Sequence, residues 1–381
     1  MPVPFPTAAT VDLEPPGAAE VETLARGFVG AISPPDGPTE LQRLLVGAIA
    51  RSMTTHVVDV DGLRPLGPEE LATALARRDE TFRSRIVQVM VLCSLVLVPL
   101  PEEVAARVAR YAGELGVDEG MLAVARRYAQ GNLGLALIDF ERNGYTADWA
   151  PERAAQLHTS RALDEAWQQV CDDPELAQRW MDLEQCAPGT LGRRVWEFYR
   201  SRGFAFPGQP DSAPPYLAQH DWVHVVADYG TRVENELEVF TLIGRAIPDP
   251  RGFSLVAMVV NLFETGYQRS GAGLFQYDQG HLSGSGSYDR EAMSARIADA
   301  MYRGARCGRD LLAVDWFTYA ERPVAAVQEE LGIPDRSVVA RGFGSKGPWE
   351  PGGISPYQLD CGRRLAAAED RPYEAYGALD G

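Results

Sequence analysis

The chain has 381 residues, 45% of them hydrophobic and 23% charged, enough apolar material for two ordinary globular domains. A formal net charge of -17 argues against broad electrostatic capture of nucleic acid, because phosphate binding rests on clustered lysine and arginine. The five cysteines, Cys93, Cys171, Cys186, Cys307 and Cys361, are widely spaced and odd in number, so free thiols in a reducing compartment are the simplest reading.

In chain order, residues 1–39 carry repeated prolines and acidic positions without sustained periodicity, and are expected to form a mobile tail. The amino terminus has neither the basic region nor the apolar run of a signal peptide. Leu41, Leu44, Leu45, Ala48 and Ile49 recur at helical spacing, and Pro68 stands at a favourable first-turn position for another helix. The most apolar stretch, Ile86 to Val98, stops at Pro99, short of the roughly 20 residues that cross a bilayer, and is expected to be a buried helix. Pro101 opens a segment with Val104, Val108, Tyr111 and Leu115 on one face, Gly116 stops it, and Asp118 can cap the next helix.

Residues 40–145, with their Asp59-Val60-Asp61-Gly62 turn followed by a helix carrying Glu69 and Glu70, resemble the tellurite-resistance B-like helical domain. Asp59, Asp61 and Glu70 fall at three positions of a calcium loop, but the glycine is not at its sixth place and Pro65 and Pro68 interrupt it, so an acidic helix-capping turn is expected instead. Residues 146–186 read as a helical connector, and residues 337–381 as a Gly/Pro-rich tail. Within that tail Gly342-Phe343-Gly344-Ser345-Lys346-Gly347 fits the dinucleotide fingerprint formally, yet Pro348, Gly352 and Gly353 prevent the helix that the fingerprint needs. The expected fold is all-α, two helical domains with irregular tails at both ends.

The chemistry concentrates in residues 187–336. His220 and His224 are four apart, which places two imidazoles on one helical face, the geometry needed to share a cation. Asp221 between them can cap the helix or add a carboxylate oxygen. Glu236 comes twelve residues after His224; on a continuous helix it would lie about 18 Å further along the axis, too far to reach the same ion. The chain is therefore expected to stop and turn near Gly230, and a second helix starting near Glu234 is expected to return Glu236 to the histidines.

A His-Asp-x-x-His motif followed after eleven residues by Glu resembles the signature of the coenzyme Q biosynthesis protein 4 family. Pro188-Gly189-Thr190-Leu191-Gly192-Arg193 and the helix through Tyr199, Arg202 and Gly203 look like that family's opening segment. Met301-Tyr302-Arg303-Gly304-Ala305-Arg306, with Leu311, Leu312 and Trp316, and then Glu329-Glu330-Leu331-Gly332-Ile333-Pro334, look like its closing helices. Family members usually have Gly before the glutamate, where this chain has Asn235, and Glu234 and Glu238 offer alternative ligands. The resemblance implies a metal held by His220, Asp221, His224 and Glu236 as the catalytic set, and chemistry at ring carbon one of a prenylated aromatic precursor, where hydroxyl replaces carboxylate.

Two imidazoles with one or two carboxylates suit Zn2+, with Fe2+, Mn2+ or Mg2+ as alternatives. The run Leu255 to Val260, with Leu262, Phe263 and Tyr267, is a candidate slot for an isoprenoid tail, and Arg303, Arg306 and Arg309 at three-residue spacing are candidates for a substrate head group. Two functions compete: a metal-dependent lyase or oxidative decarboxylase of quinone or secondary-metabolite biosynthesis, and a lipid-binding scaffold that presents an intermediate to biosynthetic partner enzymes. A structural metal beside a partner-recruiting amino-terminal domain is a third. The expected setting is cytoplasmic, with peripheral contact at the inner face of a membrane and a homodimer both open.

Overall fold

The computed structural model describes residues 15–97, 100–117, 173–210, 212–213, 218–247, 256, 260 and 289–377. Asp118, Cys171, most of the expected connector and the candidate slot residues Leu255, Leu262, Phe263 and Tyr267 lie outside them. Among the described residues there is no strand, only an isolated antiparallel bridge between Thr190 and Pro323, and the fold is all-α. No helix there is long and apolar enough to cross a membrane.

The amino-terminal helices follow from pattern and caps. Helix α1 spans Ala18–Ile32, α2 Glu40–Thr54, α3 Pro68–Ala74, α4 Glu80–Leu95 and α5 Glu102–Glu114. Thr39 and Gln42 close a reciprocal capping box at the start of α2, and the Gln42 amide then donates to the Ile32 and Cys93 carbonyls, tying three helices through one buried side chain. Every residue of α4 from Ile86 to Leu95 is buried, as its unbroken apolar run requires. Residues 18–32, expected in a mobile tail, instead form α1, because Val21, Leu24, Phe28, Val29 and Ile32 make an apolar stripe that packs on α2, α4 and α5. The acidic turn also differs from expectation. Asp61 caps no helix; its carboxylate pairs with Arg43 at 2.7 Å and Arg290 at 2.6 Å.

The remaining helices are α6 Pro174–Met181, α7 Leu191–Arg202, α8 Gln219–Val226, α9 Val233–Ala246, α10 Arg290–Cys307, α11 Val324–Leu331, α12 Val338–Gly342 and α13 Pro356–Ala368. The eighteen-residue α10 packs most extensively on α9 and on α2, so the two halves of the sequence share one apolar core. The crossing of α9 and α10 is close at Gly304, where a Cβ would sit 3.0 Å from that of Arg245 and 3.1 Å from the Ala246 nitrogen, besides meeting the Leu242 carbonyl. A side chain has no room there.

The carboxyl-terminal segment is more ordered than its Gly/Pro content suggests. Ser355 and Gln358 form a capping box, Pro356 occupies the first turn, and α13 lies along α7. Gly230 and Thr231 donate from their backbone nitrogens to the Lys346 and Gly353 carbonyls, both at 2.8 Å, so this segment braces the loop between α8 and α9.

Gly304→Ala is expected to destabilise the protein by roughly 1–3 kcal/mol, because backbone rather than a flexible side chain must move. The denaturant midpoint measures this; an unchanged midpoint would contradict the packing described.

Candidate metal centre

Helix α8 presents His220, Asp221 and His224, all buried, with His224 fully so. The helix ends at Val226, earlier than the stop expected at Gly230, and Asp228 adopts a left-handed conformation at φ 58°. Gly230 serves the turn differently: a Cβ there would sit 2.7 Å from the Gly353 Cα, so only glycine lets the braced loop approach. After this reversal α9 starts at Val233, which places Glu236 in its first turn.

The return brings the four expected residues together. Glu236 Oε2 lies 3.2 Å from His224 Nε2 and 3.8 Å from His220 Nε2, and Asp221 Oδ1 lies 3.4 Å from His220 Nε2. The ligand atoms of His220, Asp221 and His224 all fall within 4.8 Å of one another. Donors about 2.1 Å from a tetrahedral ion stand roughly 3.4 Å apart, so the three nitrogen–oxygen separations of 3.2–3.8 Å are close to the edges of such a shell, with Glu236 set against the two imidazoles rather than within the His220–Asp221–His224 group itself. The His224 Nδ1–H donates to the Tyr229 carbonyl at 3.3 Å, which fixes the ring and turns Nε2 toward Glu236. Phe240 stacks on His220 and Phe198 on His224, with ring centroids 4.9 and 5.4 Å apart.

The electrostatics are those of a compensated buried cluster. Burial acts to lower the His224 pKa, yet the neighbouring Glu236 and Asp221 carboxylates lift it above the usual histidine value. For Glu236 burial acts upward, but the two imidazoles hold the carboxyl below its usual range. Asp221 is pushed up, chiefly by burial, and the Tyr199 hydroxyl, buried against Asp221, is pushed well up. Arg202, also buried, is brought down to about 9 by burial. It is held by Thr231, Ser201 and the Phe198 and Pro348 carbonyls.

The alternative ligands do not join the cluster. Glu238 accepts from Asn235 Nδ2 and Arg296 Nη2, both at 2.8 Å, and Glu234 is half-buried, 4.0 Å from Arg232. The three arginines considered for a head group are not brought together either. Arg303 is fully buried, donates to the Pro334 and Ala227 carbonyls and covers the Tyr229 ring, whereas Arg306 and Arg309 are exposed. Asp228, half exposed, pairs with Arg336 at 2.5 Å. Of the apolar run, Val256 and Val260 are buried.

Tyr199, Phe198, Phe240 and Arg202 belong to the site without having been singled out for a role in it. Tyr199 and Phe198 reach it from α7, across helix–helix contacts that local spacing does not encode; Phe240 lies one turn after Glu236, where helical periodicity alone put it on the same face.

No protein-family model, curated protein or solved structure matches this chain.

Arg303→Ala is expected to cost roughly 2–4 kcal/mol, because it opens a cavity and strips donors from two buried carbonyls. Arg306→Ala and Arg309→Ala are expected to leave the denaturant midpoint unchanged. Equal effects from all three would contradict the assignment of Arg303 to the core.

Proposed function

We propose that this chain is a divalent-metal protein, zinc being the favoured ion, in which His220, Asp221, His224 and Glu236 hold the metal and the centre acts on an aromatic or isoprenoid carboxylate precursor. The observation that carries the reading is the convergence of two neutral-capable imidazoles and two carboxylates, from two helices, at 3.2–3.8 Å. The resemblance of the His-Asp-x-x-His…Glu spacing to the coenzyme Q biosynthesis protein 4 family supplies the substrate class. Fe2+, Mn2+ and Mg2+ accept similar donors, although two imidazoles favour the transition metals.

A bound divalent ion would polarise a carbonyl or carboxylate oxygen and lower the pKa of its own water. The chain's residues do the rest. His224 is oriented by the Tyr229 carbonyl, and the stacked Phe198 and Phe240 rings keep water from the imidazoles. Decarboxylation of a ring acid replaces the carboxylate by a proton and releases carbon dioxide. Replacement by hydroxyl also removes two electrons, so it requires an electron acceptor of the dioxygen class and an oxygen atom from water or dioxygen.

A second reading has one observation in its favour. If Glu236 joins His220, Asp221 and His224, four protein donors would fill a tetrahedral zinc shell, and structural zinc sites are closed in this way, whereas catalytic ones keep a position open. The metal would then pin α8 to α9, and the protein would serve as a lipid-binding scaffold for biosynthetic partner enzymes.

Elemental mass spectrometry of metal-replete protein is expected to find near one equivalent of metal in the wild type and loss in both His224→Ala and Glu236→Ala. Wild-type protein without metal would overturn the reading. Carbon dioxide release from prenylated aromatic acids by the loaded protein separates the two roles: turnover supports the enzyme, and its absence in fully loaded protein favours the scaffold.

A further inference from the structure

Asp221 has two carboxylate oxygens in a buried setting, and the structure gives them different surroundings. Oδ1 faces His220 Nε2 at 3.4 Å, on the side of the cluster, while Oδ2 accepts a hydrogen bond from the Tyr199 hydroxyl at 2.5 Å. Tyr199 comes from a different helix, α7, and is 1% exposed. Its ring is held by aromatic neighbours on several sides: Phe206 stacks on it at 5.3 Å, Trp180 tilts against it at 5.1 Å and Phe204 meets it edge-on at 5.9 Å. A phenol wedged in this way cannot follow the carboxylate if Asp221 rotates. The carboxylate must therefore adopt the rotamer that meets the hydroxyl.

We propose that Tyr199 is a positioning residue of the metal centre: it holds Asp221 so that one oxygen is presented to the ion and the other is withheld. The inference rests on the metal reading above and adds to it a mode of ligation, one-oxygen binding by Asp221. Geometry supports a positioning role over a direct one: the Tyr199 hydroxyl is engaged by Asp221 Oδ2, and the ring behind it is fixed by Phe206, Trp180 and Phe204. Partners of this kind, which hydrogen-bond to ligands rather than to the ion, typically contribute ten- to a hundredfold in metal affinity.

Tyr199→Phe tests this, since it keeps the packed ring and removes only the hydroxyl. Zinc affinity, measured by competition with a chromogenic chelator, is expected to fall by roughly ten- to a hundredfold, and the visible spectrum of the cobalt-loaded protein is expected to change. The melting temperature of the metal-free protein should shift by only a few degrees. In an Asp221→Ala background, where no carboxylate remains to be oriented, Tyr199→Phe is expected to have no further effect on affinity. Unchanged affinity and cobalt spectrum in Tyr199→Phe, or an equal loss in the Asp221→Ala background, would overturn the positioning role while leaving the metal site intact. Loss of affinity matched by collapse of the metal-free protein would assign Tyr199 to the fold instead. A wild-type protein that binds neither zinc nor cobalt would overturn both this inference and the reading on which it rests.

Discussion

The Glu236 carboxylate, 2% exposed and 3.2 Å from the His224 imidazole, is the interaction on which the arrangement of the second half of the chain depends. An ionised carboxylate taken out of water loses several kcal/mol of solvation, and only a close positive or metal partner returns it. Glu236 meets that requirement only if the chain reverses between α8 and α9, since a straight helix would carry it about 18 Å away. The reversal, not either helix alone, makes the site.

That reversal is held from outside. Its backbone donors find acceptors at Lys346 and Gly353, its Thr231 hydroxyl bonds to Gln358, and its Asp228 pairs with Arg336. Behind α9 runs α10, seated closely at Gly304, and α10 in turn leans on α2. Glu238, two residues beyond Glu236, faces α10 and pairs with Arg296. Successive carboxylates on α9 thus have separate tasks: one completes the histidine cluster and the next anchors the helix beneath it. The amino-terminal helices and the carboxyl-terminal segment both support a histidine–carboxylate cluster to which neither adds a side chain.

The sequence made the site legible because its parts obey local rules. Histidines four apart share a helical face, and the reversal followed from the impossibility of reaching Glu236 otherwise. The helix class, and individual starts such as Pro68 and Pro101, were legible from periodicity and caps. What escaped depends on tertiary partners. Helix α1 hides within a proline-bearing stretch, and α13 within a Gly/Pro-rich one, because short apolar stripes reveal themselves only when a neighbouring face exists to bury them. Arg303 looked like one of three equivalent cations by spacing, and it is distinguished only by the Ala227 and Pro334 carbonyls that surround it. Tyr199 was part of a recognisable segment, yet its bond to Asp221 spans twenty-two residues and two helices.

The central claim is that one ion sits among these four side chains. Anomalous diffraction at the zinc edge from crystals grown with zinc tests it most directly. The account predicts a single strong peak about 2.0–2.3 Å from His220 Nε2, His224 Nε2, Asp221 Oδ1 and Glu236 Oε2. A peak elsewhere, or none in crystals whose zinc content is stoichiometric by fluorescence, would contradict it.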